Sequence, residues 1–283
     1  MSSSLSSRML VVYLGIPGII LAVYLGRYFF ALFVTLVCLL ALREFYLLTA
    51  TKGISPQLWI GAISCVVISL FYYFGPALPL PFINPRDFLP LMMLIIVLSE
   101  LTRGKENATA NVMTTMGGII YVPLLLGALI GIRQVDPFDY DMGMKLVGSL
   151  FVGIWTCDTS AYFCGKAWGK KKILERASPK KTVVGCVSGL AFALVFYVMI
   201  HSLGFYSSSR SFADVTLVDA VVFSVIVGVF GQAGDFIESL FKRDMGVKDS
   251  SNFLMGHGGV LDRFDSLIVA SPLTFLYLKY FIY

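Results

Sequence analysis

Charge is scarce in this chain. Only 14% of its residues are Asp, Glu, Lys or Arg, against about 25% in typical globular proteins. Long windows carry no charge at all: 28–42, 53–85, 107–132, 182–209 and 266–278. A bilayer core takes roughly 20 apolar residues per helix, and several windows reach that length. A soluble globular domain is excluded, and an all-α, polytopic transmembrane protein follows. Cysteine is also sparse: Cys38, Cys65, Cys157, Cys164 and Cys186 are scattered through mostly apolar segments. An odd count without metal-like spacing argues against a disulfide framework and against a zinc site. Internal repeats, low-complexity tracts and linkers between soluble domains are missing too.

What is present is hydrophobic, 57% of the residues with a mean hydropathy of +0.82. At the usual span length it divides into about nine spans, at 9–26, 29–48, 58–76, 88–101, 112–132, 145–165, 183–204, 216–238 and 266–282. No small-x-small cleavage site follows Arg8, so the first stretch is expected to be retained as a span. Two regions are expected. Residues 1–144 form an N-terminal transmembrane scaffold of about five spans, and 145–283 form a catalytic region with two polar cytoplasmic segments, 165–182 and 239–265.

Loop charge sets the orientation. Segment 165–182 carries Lys166, Lys170, Lys171, Lys172, Arg176, Lys180 and Lys181 against Glu175, which makes it cytoplasmic by the positive-inside rule. Segment 239–265 follows two spans later on the same side. Segment 133–144, with Asp136, Asp139 and Asp141, falls outside. The N-terminus is then cytoplasmic, and the C-terminus is outside.

The chemistry-bearing residues gather in those two segments. Asp158 lies near the cytoplasmic end of the sixth span; an intramembrane carboxylate is expensive and suggests function, although a lysine-paired interfacial residue is the bland reading. S-P-K-K-T, with Ser178, Lys180, Lys181 and Thr182 around a proline-fixed turn, suits an anion, because lysines supply charge and hydroxyls supply directed bonds. Farther on, Asp235, Glu238, Ser239 and Lys242 fall at i, i+3, i+4 and i+7, which is one helix face. Asp262 and Asp265 stand three apart where the last span begins. Carboxylates brought together from two helices suit a hard cation such as Mg²⁺, which arrives with phosphates. Gly258 and Gly259 precede that helix, where backbone N–H groups can meet an anion. Each of these has a structural reading: Asp262 as a helix cap, Asp265 as a first-turn acid, the glycines as a turn, His257 as a loop residue. Their joint placement on one membrane face favours the functional one.

S-L-F-K-R-D-M-G-V-K-D-S-S-N-F-L-M-G-H-G-G-V-L-D-R-F-D, residues 239–265, resembles the signature of the phosphatidate cytidylyltransferases, also called CDP-diglyceride synthetases. D-T-S-A-Y-F-x-G-K-x-x-G-K and S-P-K-K-T resemble the same family, as does G-R-Y-F followed by A-L-R-E-F-Y near residues 26–46. Three positions depart from its pattern: Met255 for proline, Val184 for glutamate and Glu175 for proline.

The resemblance implies a Mg²⁺-dependent transfer of CMP from CTP to phosphatidic acid at the cytoplasmic face of a bacterial-type inner membrane, giving CDP-diacylglycerol and pyrophosphate. Asp235 and Asp262 are then the leading metal ligands. Asp265, Asp158 and Asp249 stand beside them, and one or two metal ions are expected. Lys180, Lys181, Lys242, Arg243, Lys248 and Arg263 would hold phosphates, Ser178, Thr182 and Ser239 would add hydroxyl bonds, and His257 with Gly258 and Gly259 would line the nucleotide pocket. The partners are CTP, phosphatidic acid and membrane lipid, with no nucleic acid; a homodimer is compatible with the class. Two other readings stand: a CTP-dependent polyprenol-type kinase, which would release CDP, and an ion-coupled transporter. The transporter reading is weakened by the lack of repeats and by charges that sit at one face.

Overall fold

The computed structural model describes residues 2–75, 85–136, 138–208, 211, 214–251 and 258–283. Helix dominates, and no strand occurs among the described residues. In chain order the rods are α1 (Ser2–Leu25), α2 (Arg27–Ala50), α3 (Leu58–Phe74), α4 (Pro85–Arg103), α5 (Ala108–Arg133), α6 (Tyr140–Trp168), α7 (Val183–Ser202), α8 (Leu217–Asp244) and α9 (Leu261–Ile282). Each apolar stretch expected from hydropathy coincides with one of these rods. Five of them, α2, α5, α7, α8 and α9, are long and apolar enough to cross a bilayer.

Local sequence explains the breaks. Gly26, at φ +57°, separates α1 from α2. Thr182 begins α7, its side chain accepting from the Gly185 N–H at 3.2 Å. Thr216 and Asp219 form a reciprocal capping box at the start of α8, the arrangement that satisfies orphan N–H groups at a helix start. α5 and α8 each contain a π-helical turn, Ile120–Leu124 and Ile226–Gly231. The second runs directly into Gln232–Asp244, the polar end of α8, and such turns are frequent near functional sites.

Hydrogen bonds between segments sort the connections into two ends of the bundle. At one end Thr51 Oγ1 donates to Met245 O at 3.4 Å, Arg103 Nη1 to Ser55 O at 2.8 Å, and the Ser55 N–H to Asn111 Oδ1 at 2.7 Å. At the other, Arg133 donates to Val23 O and Tyr140 O, Lys145 to Ser207 O, and Tyr283 to Asp136. The main core runs between them, through buried residues of α2, α5, α6, α7, α8 and α9. A smaller cluster, including Ile68, Phe88, Ile96 and Ile119, joins α3, α4 and α5.

One close approach positions the site. A Cβ on Gly234 would sit 3.0 Å from Ser266 Cα, so only glycine lets α8 and α9 meet at this level. Small residues permit such backbone contact between membrane helices. The neighbours of that contact are Asp235 on α8 and Asp265 on α9.

Candidate active site

The polar residues singled out in the sequence collect where α7 and α9 begin and α6 and α8 end, and they form two adjoining clusters. In the first, the S-P-K-K-T turn delivers Lys181 onto Asp235, with which it forms an ion pair. The turn is held by Val183 N–H to Lys171 O at 2.9 Å and by a bridge between Lys172 and Thr182. The Lys181 ammonium also lies 4.5 Å from the centre of the Phe236 ring, a cation–π distance. Asp158 from α6 and Asp265 from α9 lie close enough to feel the charges of Asp235 and Lys181. Asp158 is exposed on the bundle surface, while Asp235 and Asp265 are half-buried. Ser239 Oγ lies 3.4 Å from Asp235 Oδ1.

The second cluster centres on Asp262. Its Oδ1 accepts from Lys242 Nζ at 2.6 Å. Its Oδ2 accepts from the Gly259 N–H at 2.6 Å, the Ser250 N–H at 3.0 Å and Ser250 Oγ at 2.9 Å. Asp262 is the second residue of α9 and Val260 takes the capping position, so Asp262 is not the helix cap that the sequence allowed; its Oδ2 instead reaches back to the turn before the helix, while Oδ1 faces a cation. Lys242 is shared with Glu238, 2.5 Å away at i,i+4. Glu238 is 1% exposed, and neither of its carboxylate oxygens has a hydrogen bond of good geometry. At such burial, the charge on Lys242 is what makes this pair of acids tolerable.

Ser178 is half-buried and Lys180 exposed on the S-P-K-K-T turn. Thr182 is buried, with its hydroxyl oxygen committed to capping α7. Arg243, Lys248, Asp249 and Arg263 are exposed around the second cluster. Gly258 has φ +80°. The Gly259 N–H is already given to Asp262, and a Cβ at Gly259 would collide with Ser250 Oγ and Glu44. His257 and Met255 lie outside the described residues. An open groove of about 440 Å³ runs along another face of α6, lined by Val152, Trp155, Thr156, Thr159, Ser160, Phe163 and Cys164, with Phe192 of α7.

Among the described residues, no group of three or more His, Cys, Asp or Glu is set to hold a metal ion. The donor set does suit a hard cation. It consists of carboxylate oxygens, two of them already met by lysine ammonium groups, and Mg²⁺ is commonly bound by one or two protein carboxylates together with phosphate and water.

The profile of the cytidylyltransferase family matches residues 6–281. A phosphatidate cytidylyltransferase from Staphylococcus aureus (strain COL) is 31% identical over 246 residues, 86% of each chain. One from Synechocystis is 28% identical across 96% of each chain. One from Haemophilus influenzae is 40% identical over 148 residues, which are 52% of this chain and 49% of that protein. The chain belongs to the cytidylyltransferase family. That membership makes it a nucleotidyltransferase, and its apolar helices make it a membrane protein.

Two acids of this cytidylyltransferase stand in the site without having been counted among its residues. Glu238 was visible on the Asp235–Lys242 face, and its spacing to Lys242 was the available signal. Glu44, on α2, accepts four hydrogen bonds from the segments flanking Asp262. Its sequence signals were a charge at the end of an apolar run and its place in the A-L-R-E-F-Y stretch.

Proposed function

We propose that this chain transfers CMP from CTP to phosphatidic acid, forming CDP-diacylglycerol and pyrophosphate. One observation carries the reading within the family: Lys181 with Asp235 and Lys242 with Asp262 set alternating charges from the turn before α7, from α8 and from α9 side by side at one end of the bundle. A phosphate oxygen of the lipid attacks the α-phosphorus of CTP, the bond from that phosphorus to the β-phosphate oxygen breaks, and pyrophosphate leaves. The lipid phosphate is already an anion, so no covalent enzyme nucleophile is needed. The obstacle is repulsion between two anionic substrates, and catalysis is mostly positioning and charge neutralisation.

Asp235 and Asp262 would hold Mg²⁺, with Asp265, Asp158 and Asp249 close by. The ion would neutralise and orient phosphate oxygens. Lys180, Lys181, Arg243, Lys248 and Arg263 would hold the triphosphate, the departing pyrophosphate and the lipid phosphate. Lys242, shared between Glu238 and Asp262, keeps the buried acids balanced as substrate arrives.

The reading extends to nine spans, with this end of the bundle at the cytoplasmic face of a bacterial inner membrane. The lysine-rich 165–182 segment supports that orientation. The deciding experiment incubates purified protein with CTP labelled at the α-phosphate, phosphatidic acid and Mg²⁺. Label in the lipid together with free pyrophosphate is expected. Release of CDP without labelled lipid would instead identify a kinase.

A further inference from the structure

Glu44 belongs to α2, in the region the sequence assigns to scaffold, yet its carboxylate is built into the active-site end. It is 3% exposed. Oε1 accepts from Ser251 Oγ at 2.6 Å and the Val260 N–H at 3.0 Å. Oε2 accepts from Ser250 Oγ at 3.1 Å and the Leu261 N–H at 2.8 Å. The donors therefore come from both sides of the connection between α8 and α9.

This arrangement replaces something α9 lacks. Its capping position is Val260, whose side chain can form no capping bond, and a helix start leaves several N–H groups without partners. Local caps are usually Ser, Thr, Asp or Asn. Here the cap comes from a different helix, and a carboxylate at a helix N-terminus is also favoured by the helix dipole. Asp262 stands in the turn that Glu44 holds, and both carboxylates reach the hydroxyl of Ser250. With one proton to donate, that hydroxyl couples the two acids.

We propose that Glu44 is a positioning residue that fixes the first turn of α9 and thereby aims Asp262 into the site. This rests on the reading of Asp262 as a carboxylate of the cytidylyltransferase reaction. It differs from a general packing role because Glu44 holds the backbone on which Asp262 rides. Its loss should fall on turnover and metal dependence before substrate affinity.

The test compares Glu44→Gln and Glu44→Asp with the unsubstituted chain. Glutamine keeps the size but puts an NH₂ group against N–H and O–H donors. Turnover by Glu44→Gln is expected to fall about 10–100-fold, the usual cost of removing a residue that orients a metal-facing group. The Mg²⁺ concentration giving half the maximal rate should rise, with KM for CTP changed less than about twofold. Glu44→Asp should recover part of the turnover. Hydrogen exchange at the Val260 and Leu261 amides should be faster in Glu44→Gln.

Unaltered turnover and exchange in Glu44→Gln overturn the proposal, and so does a loss confined to KM for CTP. If Glu44→Gln does not fold, Ser251→Ala removes one donor to Oε1 and should give a smaller effect of the same kind; unchanged exchange and turnover there overturn it equally. If the unsubstituted chain makes no CDP-diacylglycerol, the reading of the reaction falls. The exchange measurement then still decides the brace, since amides no faster in Glu44→Gln overturn it.

Discussion

Lys181, the last lysine before α7, is ion-paired with Asp235 of α8. The pair ties the basic turn to the acidic end of the neighbouring helix, and it balances a carboxylate that also feels the charges of Asp158 and Asp265.

The two residues should therefore act as a unit. Lys181→Ala and Asp235→Asn are each expected to abolish most CDP-diacylglycerol formation. The double variant should lose little more than Asp235→Asn alone, because residues that act together are not additive. Steady-state rates of the four proteins check this. Fully multiplicative losses would mean that the ion pair has no part in arranging the site.

Asp262→Asn separates the two jobs of one side chain. Asparagine can still accept from the Gly259 N–H with its oxygen, preserving that turn, but it offers no charge to Lys242. The variant should insert in membranes and resist alkaline carbonate extraction as the parent does, while nearly all transfer activity is lost. Substantial activity at ordinary Mg²⁺ would remove Asp262 from the catalytic set.

Val184 is where the chain departs from the family pattern by lacking an acid. It is 38% exposed in the first turn of α7, which contains no acidic residue. Val184→Glu should raise thermal stability by about 0.3–1 kcal/mol through the helix dipole and leave turnover within about twofold, a ΔΔG‡ below ~0.5 kcal/mol. A melting curve and a rate measurement settle both halves. A larger change in turnover would give the missing carboxylate a role in the reaction.

The helices were legible because apolar runs and their polar interruptions are local properties. The window 183–204, for example, maps onto Val183–Ser202. The Asp235–Lys242 face was legible for the same reason: helical periodicity alone places Glu238 beside Lys242 and Ser239 beside Asp235. Glu44 was not legible as a brace, since its partners are more than 200 residues away and no periodicity links α2 to the start of α9. The hydroxyl of Thr182 read from the sequence as an anion ligand, and its capping role was not legible there. Its position 3.2 Å from the Gly185 N–H gives it that job.

At the opposite end of the bundle, Asp136 offers a test of stability that leaves the chemistry untouched. Burial alone would raise its pKa. Hydrogen bonds from Ser211, the Asp139 and Phe138 N–H groups and Tyr283 outweigh that and hold the carboxyl below its ordinary value. A depressed folded-state pKa means that the unfolded chain binds the proton more readily. The stabilisation is therefore complete above the ordinary aspartate pKa near ~3.9 and is lost as pH falls through the lower folded-state value. Melting temperature of the solubilised protein should drop on acidification below about pH 4. Asp136→Asn should flatten that drop and cost about 1.5–3 kcal/mol at neutral pH, the usual worth of a hydrogen bond to a charged group. Turnover should not change, because the residue stands at the end of the bundle remote from Asp235 and Asp262. An Asp136→Asn protein with the parent's acid profile would show that some other carboxylate governs acid stability.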